Sequence, residues 1–356
     1  MVAASVDQER LEAFVGQAVS DFAATVSSAL VVIGDKLGLY KALAEGGPQS
    51  PAELAARTGT DERYLHPWLV NQAAGGYVAH DPATGRYALP PEQATALTDE
   101  SSPYYVLGGF EMVTAMMKAE PRIAEAFRTG AGLPWRDHDP AFFRGVERFF
   151  RPGYAANLVQ SWIPALEGAE AKLRAGATVA DLGCGHGAST VVMARAYPNA
   201  RFFGFDSHAP SVARARELAD EAGVGGHVEF AVGSFTDFPA PAGGYDLVAY
   251  FDCLHHMGDP VAATRRAFRA LKPDGHLLVV EPMAGETDEA NLNPVGRVYA
   301  GASVLCCTAD CLASGGTALG AIAPEWQLRE AVLAGGFSRF RRAAETPFNR
   351  VFEARP

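Results

Sequence analysis

Three glycines at alternate positions, Gly183, Gly185 and Gly187, follow directly on an apolar run over 178–182 and open a helical pattern over 187–196. Glycine lets the backbone turn sharply and admits a ligand where a Cβ would otherwise stand. The pattern of short apolar run and helix then repeats. Runs at 201–205, 228–232, 245–251 and 276–280 alternate with helical stretches near 210–222 and 260–271, and a last run covers 348–354. Alternation at this spacing predicts an α/β domain built on a doubly wound, largely parallel sheet. Asp206 closes the second run, 19 residues beyond Gly187. A carboxylate at that place accepts the ribose hydroxyls of an adenosine-type cofactor. Gly183-x-Gly185-x-x-Ala188 also satisfies the dinucleotide fingerprint, so the turn alone leaves the cofactor open.

The first half of the chain has a different character. Leu11, Phe14, Val15, Ala18, Val19, Phe22 and Val26 recur at helical spacing, and a second apolar helix is expected through Leu30, Ile33, Leu37 and Leu43. Ser50-Pro-Ala-Glu53 reads as a capping box with proline at the first helical position, and its helix ends at Gly59. Another helix starts near Asp61 and ends at Gly75-Gly76. Residues 77–80 and 86–89 flank the turn Asp81-Pro-Ala-Thr-Gly85 as a β-hairpin, which completes a winged-helix outline. Residues 100–167 read as helical, with Phe142, Phe143, Val146, Phe149 and Phe150 on one face. A junction over 168–176 divides the chain into a helical domain, 1–168, and a sheet domain, 169–356.

Asp181-Leu-Gly-Cys-Gly-His-Gly187 resembles the first motif of class I S-adenosylmethionine-dependent methyltransferases, D/E-x-G-x-G-x-G. Asp246-Leu-Val-Ala-Tyr-Phe-Asp-Cys-Leu-His-His256 is similar to their fourth motif, and Leu271-Lys-Pro-Asp-Gly275 to the turn before their fifth strand. The resemblance implies a Rossmann-like, seven-stranded methyltransferase sheet with S-adenosylmethionine as cofactor. It implies that Asp181, Gly183, Gly185 and Gly187 lie by the amino-acid portion, that Asp206 holds the ribose, and that Ser234 and Phe235 lie by the adenine. Tyr154 and Phe251 are further candidates at the cofactor. The winged-helix-like first half resembles that of the small-molecule O-methyltransferases, where such a domain dimerises and covers the substrate pocket. Residues 281–345 are similar to an actinobacterial branch in which Glu281-Pro-Met follows the fifth strand.

Methyl transfer from a sulfonium is an in-line displacement, so the enzyme must hold acceptor and methyl in register and, for some acceptors, remove a proton. Asp252, His255 and His256 stand just past the fourth run, where such a fold meets its substrate, and are the catalytic candidates. An imidazole titrates near neutral pH, and His255 is preferred as base over His256. The plainer reading has one histidine capping a helix or bonding a loop carbonyl. Asp252, His255 and His256 are also metal-ligand types, but adjacent histidines need a remote third ligand, and no metal is expected. Cys306, Cys307 and Cys311 read as small buried thiols.

Charge and composition weigh on the alternatives. The net charge of −11, and six Lys and Arg against eleven Asp and Glu over 1–98, argue against a winged-helix DNA-binding regulator and against nucleic acid as partner. Asp181 ahead of the turn suits the ammonium of an amino-acid cofactor and counts against an NAD-dependent dehydrogenase. Non-methylating chemistry on S-adenosylmethionine stays open. Five cysteines without zinc-finger pairing, no basic-then-apolar leader and no uninterrupted apolar run of ~18 residues point to a cytoplasmic protein without a membrane partner. The expected state is a homodimer acting on a small molecule.

Overall fold

The structure, a computed structural model, describes residues 6–356, so part of the leader reading lies outside the described residues. Two compact units divide at Thr114/Ala115. The junction expected at 168/169 falls inside the second unit, because the intervening helices pack on the sheet: Tyr154, Leu158, Trp162 and Ile163 belong to the same apolar cluster as Val179, Val191 and Phe202.

In the first unit, α1 (Gln8–Lys36) is a single helix capped by Asp7, whose side chain accepts from the Arg10 amide. The two helices expected here are one as far as Lys36, since no glycine or proline interrupts 17–33. The break falls at Gly38, ahead of α2 (Leu39–Gly46). α3 (Pro51–Thr58) carries the capping box on Ser50 and Glu53, and α4 (Glu62–Ala74) precedes the antiparallel hairpin β1 (Ala79–Asp81) and β2 (Arg86–Ala88). Val31, Tyr40, Leu54, Trp68 and Leu69 form the core. Its polar edges are satisfied internally: Tyr40 Oη donates to Gln72 at 2.6 Å and Trp68 Nε1 to the Leu30 carbonyl at 2.9 Å. Phe14, Val19, Phe22 and Val26 on α1 are exposed. By length and composition α1 alone among the described helices would suffice to cross a membrane, although charged residues such as Asp21 and Asp35 mark its polar side.

The second unit holds a seven-stranded sheet of β3 (Thr178–Leu182), β4 (Arg201–Asp206), β5 (Val228–Val232), β6 (Tyr245–Phe251), β7 (Leu271–Pro282), β8 (Arg339–Glu345) and β9 (Asn349–Arg355). Their spatial order is β5-β4-β3-β6-β7-β9-β8. The first five run parallel, and β9 joins antiparallel to both β7 and β8. The central strands are buried on both faces, which accounts for their unbroken Val, Ala and Leu runs. β8 was not legible as a strand: Arg-Phe-Arg-Arg-Ala-Ala-Glu is a charged edge, exposed on its outer face and lacking a clean alternation. The order reverses between β3 and β6. The carboxyl ends of those two strands are therefore where an open α/β sheet leaves a crevice.

Candidate functional site

The glycine turn is fixed by the strand beside it. β3 and β4 pair with Leu182 opposite Phe205, and the Phe205 carbonyl accepts from both Gly183 N–H (2.8 Å) and Cys184 N–H (3.1 Å). The next amide, Gly185 N–H, donates to Asp206 Oδ2 at 2.9 Å, while Asp206 Oδ1 accepts from His208 N–H at 2.8 Å. At Gly185, φ is +52° and the space a Cβ would enter is open. A side chain there would be strained and would fill room that a ligand can use. Gly187 serves packing instead: a Cβ on it would meet the Phe230 ring at 2.7 Å.

A cavity of about 410 Å³ opens at this crevice, wholly within the second unit. Gly183, Gly185, His186, Asp206, Ser234 and Phe235 line one part of it. Tyr154, Phe251, Asp252, His256, Met257 and Asp310 line another, with Trp135, Phe143 and Phe150 as apolar wall. Asp181, Gly187 and His255 are not among the lining residues. Asp181 is fully buried beneath the turn, where Oδ2 accepts from Ser189 Oγ and Thr190 Oγ1, each at 2.6 Å, and Oδ1 has no partner. Burial pushes its carboxyl up to about 6, against the two hydroxyl donors that hold it down. Burial likewise raises Asp206, although two backbone amides favour its charge. Ala188 and Ser189, in the first turn of the following helix, also line the cavity, so the helix N-terminus faces any anionic end of a ligand.

The other part is built from distant segments. Asp252 has φ of +50°, a left-handed conformation uncommon outside glycine and asparagine, held by its N–H donating to the Val280 carbonyl at 2.8 Å. Its Oδ2 accepts from Tyr154 Oη at 3.3 Å and its Oδ1 from Asn349 Nδ2 at 2.9 Å. Burial, and then the charge of Glu281, push the Asp252 carboxyl up to about 8. His255 is buried with Nδ1 2.6 Å from Glu281 Oε2. Burial disfavours its cation, but Glu281 and Cys307 outweigh this and raise its pKa well above the usual value. The His256 ring meets Trp135 edge-on at 5.1 Å. Burial opposes its charge too, yet Cys307 and Asp310 carry it up to about 9.

The structure thus brings Tyr154, Gly183, Gly185, Asp206, Ser234, Phe235, Phe251, Asp252 and His256 to one cavity. His255 lies one residue behind it. Asn349 and Asp310 were missed from sequence, and no local signal marks them; Glu281 stands out there only as the start of Glu281-Pro-Met, without its role beside His255. The cavity thus has a glycine turn and the Asp206 carboxylate on its wall together with apolar residues, the Asp252 carboxyl and the His256 imidazole.

Residues 173–319 match the methyltransferase domain family, and residues 24–99 match the Rv2258c-like winged HTH domain. The 27-O-demethylrifamycin SV methyltransferase of Amycolatopsis mediterranei is 34% identical over 131 residues, 35% of this chain and 48% of that protein. The chain thus spans about half the length of that relative. The mitomycin biosynthesis 6-O-methyltransferase of Streptomyces lavendulae is 28% identical over 72% of this chain and 74% of its own. Human N-acetylserotonin methyltransferase, solved in complex with SAM, superposes with a TM-score of 0.72 at 20% identity, over 100% of this chain and 99% of that one. That likeness establishes the fold.

Proposed function

We propose that this chain, a class I methyltransferase by fold with a winged-helix domain ahead of it, transfers a methyl group from S-adenosylmethionine to an oxygen of a small, largely apolar acceptor. The observation that carries the reading is the shared cavity: the Gly185 turn and Asp206 at one end, Asp252 and His256 at the other. The residues fit the cofactor, because the Gly185 Cβ position is open and the Asp206 carboxylate faces the same space. S-adenosylmethionine supplies, when bound, an electrophilic methyl on a sulfonium.

The chain's own residues then have separable tasks. Asp206 accepts the ribose hydroxyls, Ser234 and Phe235 flank the base, and Gly183, Gly185 and Asp181 form and support the turn under the amino-acid end. Tyr154 and Phe251 close the wall between the two ends, and Asp252 is held there by Tyr154 and Asn349. Trp135, Phe143, Phe150 and Met257 exclude water from the acceptor and favour an aromatic body. The acceptor hydroxyl passes its proton to the neutral form of His256, which faces the cavity and whose pKa of about 9 makes turnover rise with pH, while His255, tied to Glu281, stands behind it. O-methylation is favoured over N- or C-methylation because relatives named for rifamycin and mitomycin substrates act at oxygen.

The exposed apolar stripe of α1 supports a homodimer, and the five buried free cysteines support a cytoplasmic setting. Calorimetric titration with S-adenosylmethionine, S-adenosylhomocysteine and NAD in parallel tests the cofactor. Binding of the first two without NAD supports the reading; binding of NAD alone refutes it.

A further inference from the structure

His255, His256 and Cys307 each offer one ligand atom, and the three atoms lie within 4.8 Å of one another. Cys307 is the remote ligand that two adjacent histidines need. It comes from a widened, π-helical turn (Ser303–Cys307) far along the chain, a backbone irregularity that tends to mark functional sites. We propose that His255, His256 and Cys307 bind a divalent transition metal ion, zinc or a close relative, at the wall of the acceptor chamber.

Four observations point to an ion rather than to a plain buried cluster. Thiolate and imidazole together are the donor set of zinc and its borderline-soft neighbours. Ligands about 2.0–2.3 Å from a tetrahedral ion sit about 3.5 Å apart, a spacing that small side-chain rotations reach from the present one. Glu281 Oε2 lies 2.6 Å from His255 Nδ1, which leaves Nε2 of that ring to ligate and reproduces the carboxylate–histidine–metal arrangement. Finally, His256 Nδ1 is buried with no hydrogen-bond partner, and Asp310 Oδ2 is 3.8 Å away, beyond bonding distance.

Three protein ligands leave one position open, and His256 and Asp310 both line the cavity. That position is therefore directed to the chamber, where it takes a water or an acceptor oxygen. On binding, the protons held by the Cys307–His255–His256 cluster pass to solvent, so that the sulfur ligates as thiolate and each ring as neutral imidazole. The inference goes beyond the methyl-transfer reading and stands or falls without it. Where both hold, His256 is a ligand, coordination to the ion acidifies the acceptor hydroxyl, and its proton passes to Asp310, which lines the same cavity.

The test is titration of the full chain, stripped with chelator, with cobalt(II) chloride alone, read by absorption. One equivalent is expected to give a thiolate-to-cobalt charge-transfer band, displaced by zinc. Cys307→Ser should lose the band and bind cobalt at least ~10-fold more weakly, while Cys306→Ser keeps it. Glu281→Gln, a positioning change, should keep the band and weaken binding about 10–100-fold. Unchanged circular dichroism and S-adenosylhomocysteine affinity in Cys307→Ser exclude misfolding as the cause. No band in the unmodified chain, or a band that survives Cys307→Ser, overturns the site. Failure of the methyltransferase reading shows separately, as loss of cofactor binding in calorimetry.

Discussion

Asp206 Oδ2 accepts the Gly185 N–H at 2.9 Å, so the carboxylate that faces the cavity also holds the glycine turn in its open shape. Replacing Asp206 removes both. Asp206→Ala is expected to weaken S-adenosylmethionine binding at least ~100-fold, on the scale of two hydrogen bonds to a charged group. Asp206→Asn should fall between, because an amide oxygen keeps the turn. Calorimetry reads both, and wild-type affinity in the alanine variant would sink the ribose assignment.

Gly185 has a positive φ and open space where a Cβ would stand. Gly185→Val should therefore lower cofactor affinity by ~10-fold or more with little change in thermal stability beyond backbone strain. Gly187→Val should act in the opposite proportion, since its Cβ would strike Phe230. Paired melting and binding curves separate the two.

His256 faces the cavity and His255 does not. His256→Ala is expected to cut turnover by about 10²–10⁴ while leaving S-adenosylhomocysteine affinity unchanged. Turnover within a factor of two of wild type would return His256 to a structural role.

Asp252 gives a pH signature. Its carboxyl is raised to about 8 in the folded chain against roughly 3.9 unfolded. Between those values the folded state holds a proton that the unfolded state lacks, so stability falls as pH rises through the window and levels above it. Asn tolerates the left-handed backbone and can keep both hydrogen bonds. The melting temperature of Asp252→Asn relative to wild type should thus climb from about pH 5 to about pH 8 and then flatten. A constant difference across that range would contradict the buried, protonated carboxyl.

Exposed apolar groups on α1 offer a direct check of assembly. Phe14→Glu with Phe22→Glu is expected to turn the proposed dimer into a monomer in light scattering without altering cofactor binding. A dimer that persists would place the interface elsewhere.

What the sequence disclosed and what it hid divide along physical lines. The turn, Asp206 and the five parallel strands are written locally, in glycines and in apolar runs that need burial on both faces. So is the capping box of α3, because Ser50 and Glu53 meet across three residues. Asn349 on Asp252, Glu281 on His255 and Cys307 beside the histidines have no such trace. The first two are meetings of segments made by sheet register, at separations of 97 and 26 residues, and the third is made by the π-helical turn Ser303–Cys307. Residue type does not separate His255 from His256, whereas only the second lines the cavity. β8 was hidden by its charges, and the boundary near 168 by helices whose apolar faces pack on the sheet rather than on the first unit's core.

The place of β9 has a consequence for how the chain is made. β8 precedes β9 in sequence, yet β9 lies between β7 and β8. On the ribosome, β8 emerges with no partner and must wait for the next strand to arrive before it can dock. An unpaired strand in a nascent chain is an invitation to wrong pairing. Arg339, Arg341, Arg342 and Glu345 make that waiting strand a poor template for any neighbour. The same strand that completes the sheet brings Asn349 to Asp252, so the cavity wall matures only when synthesis has passed this point.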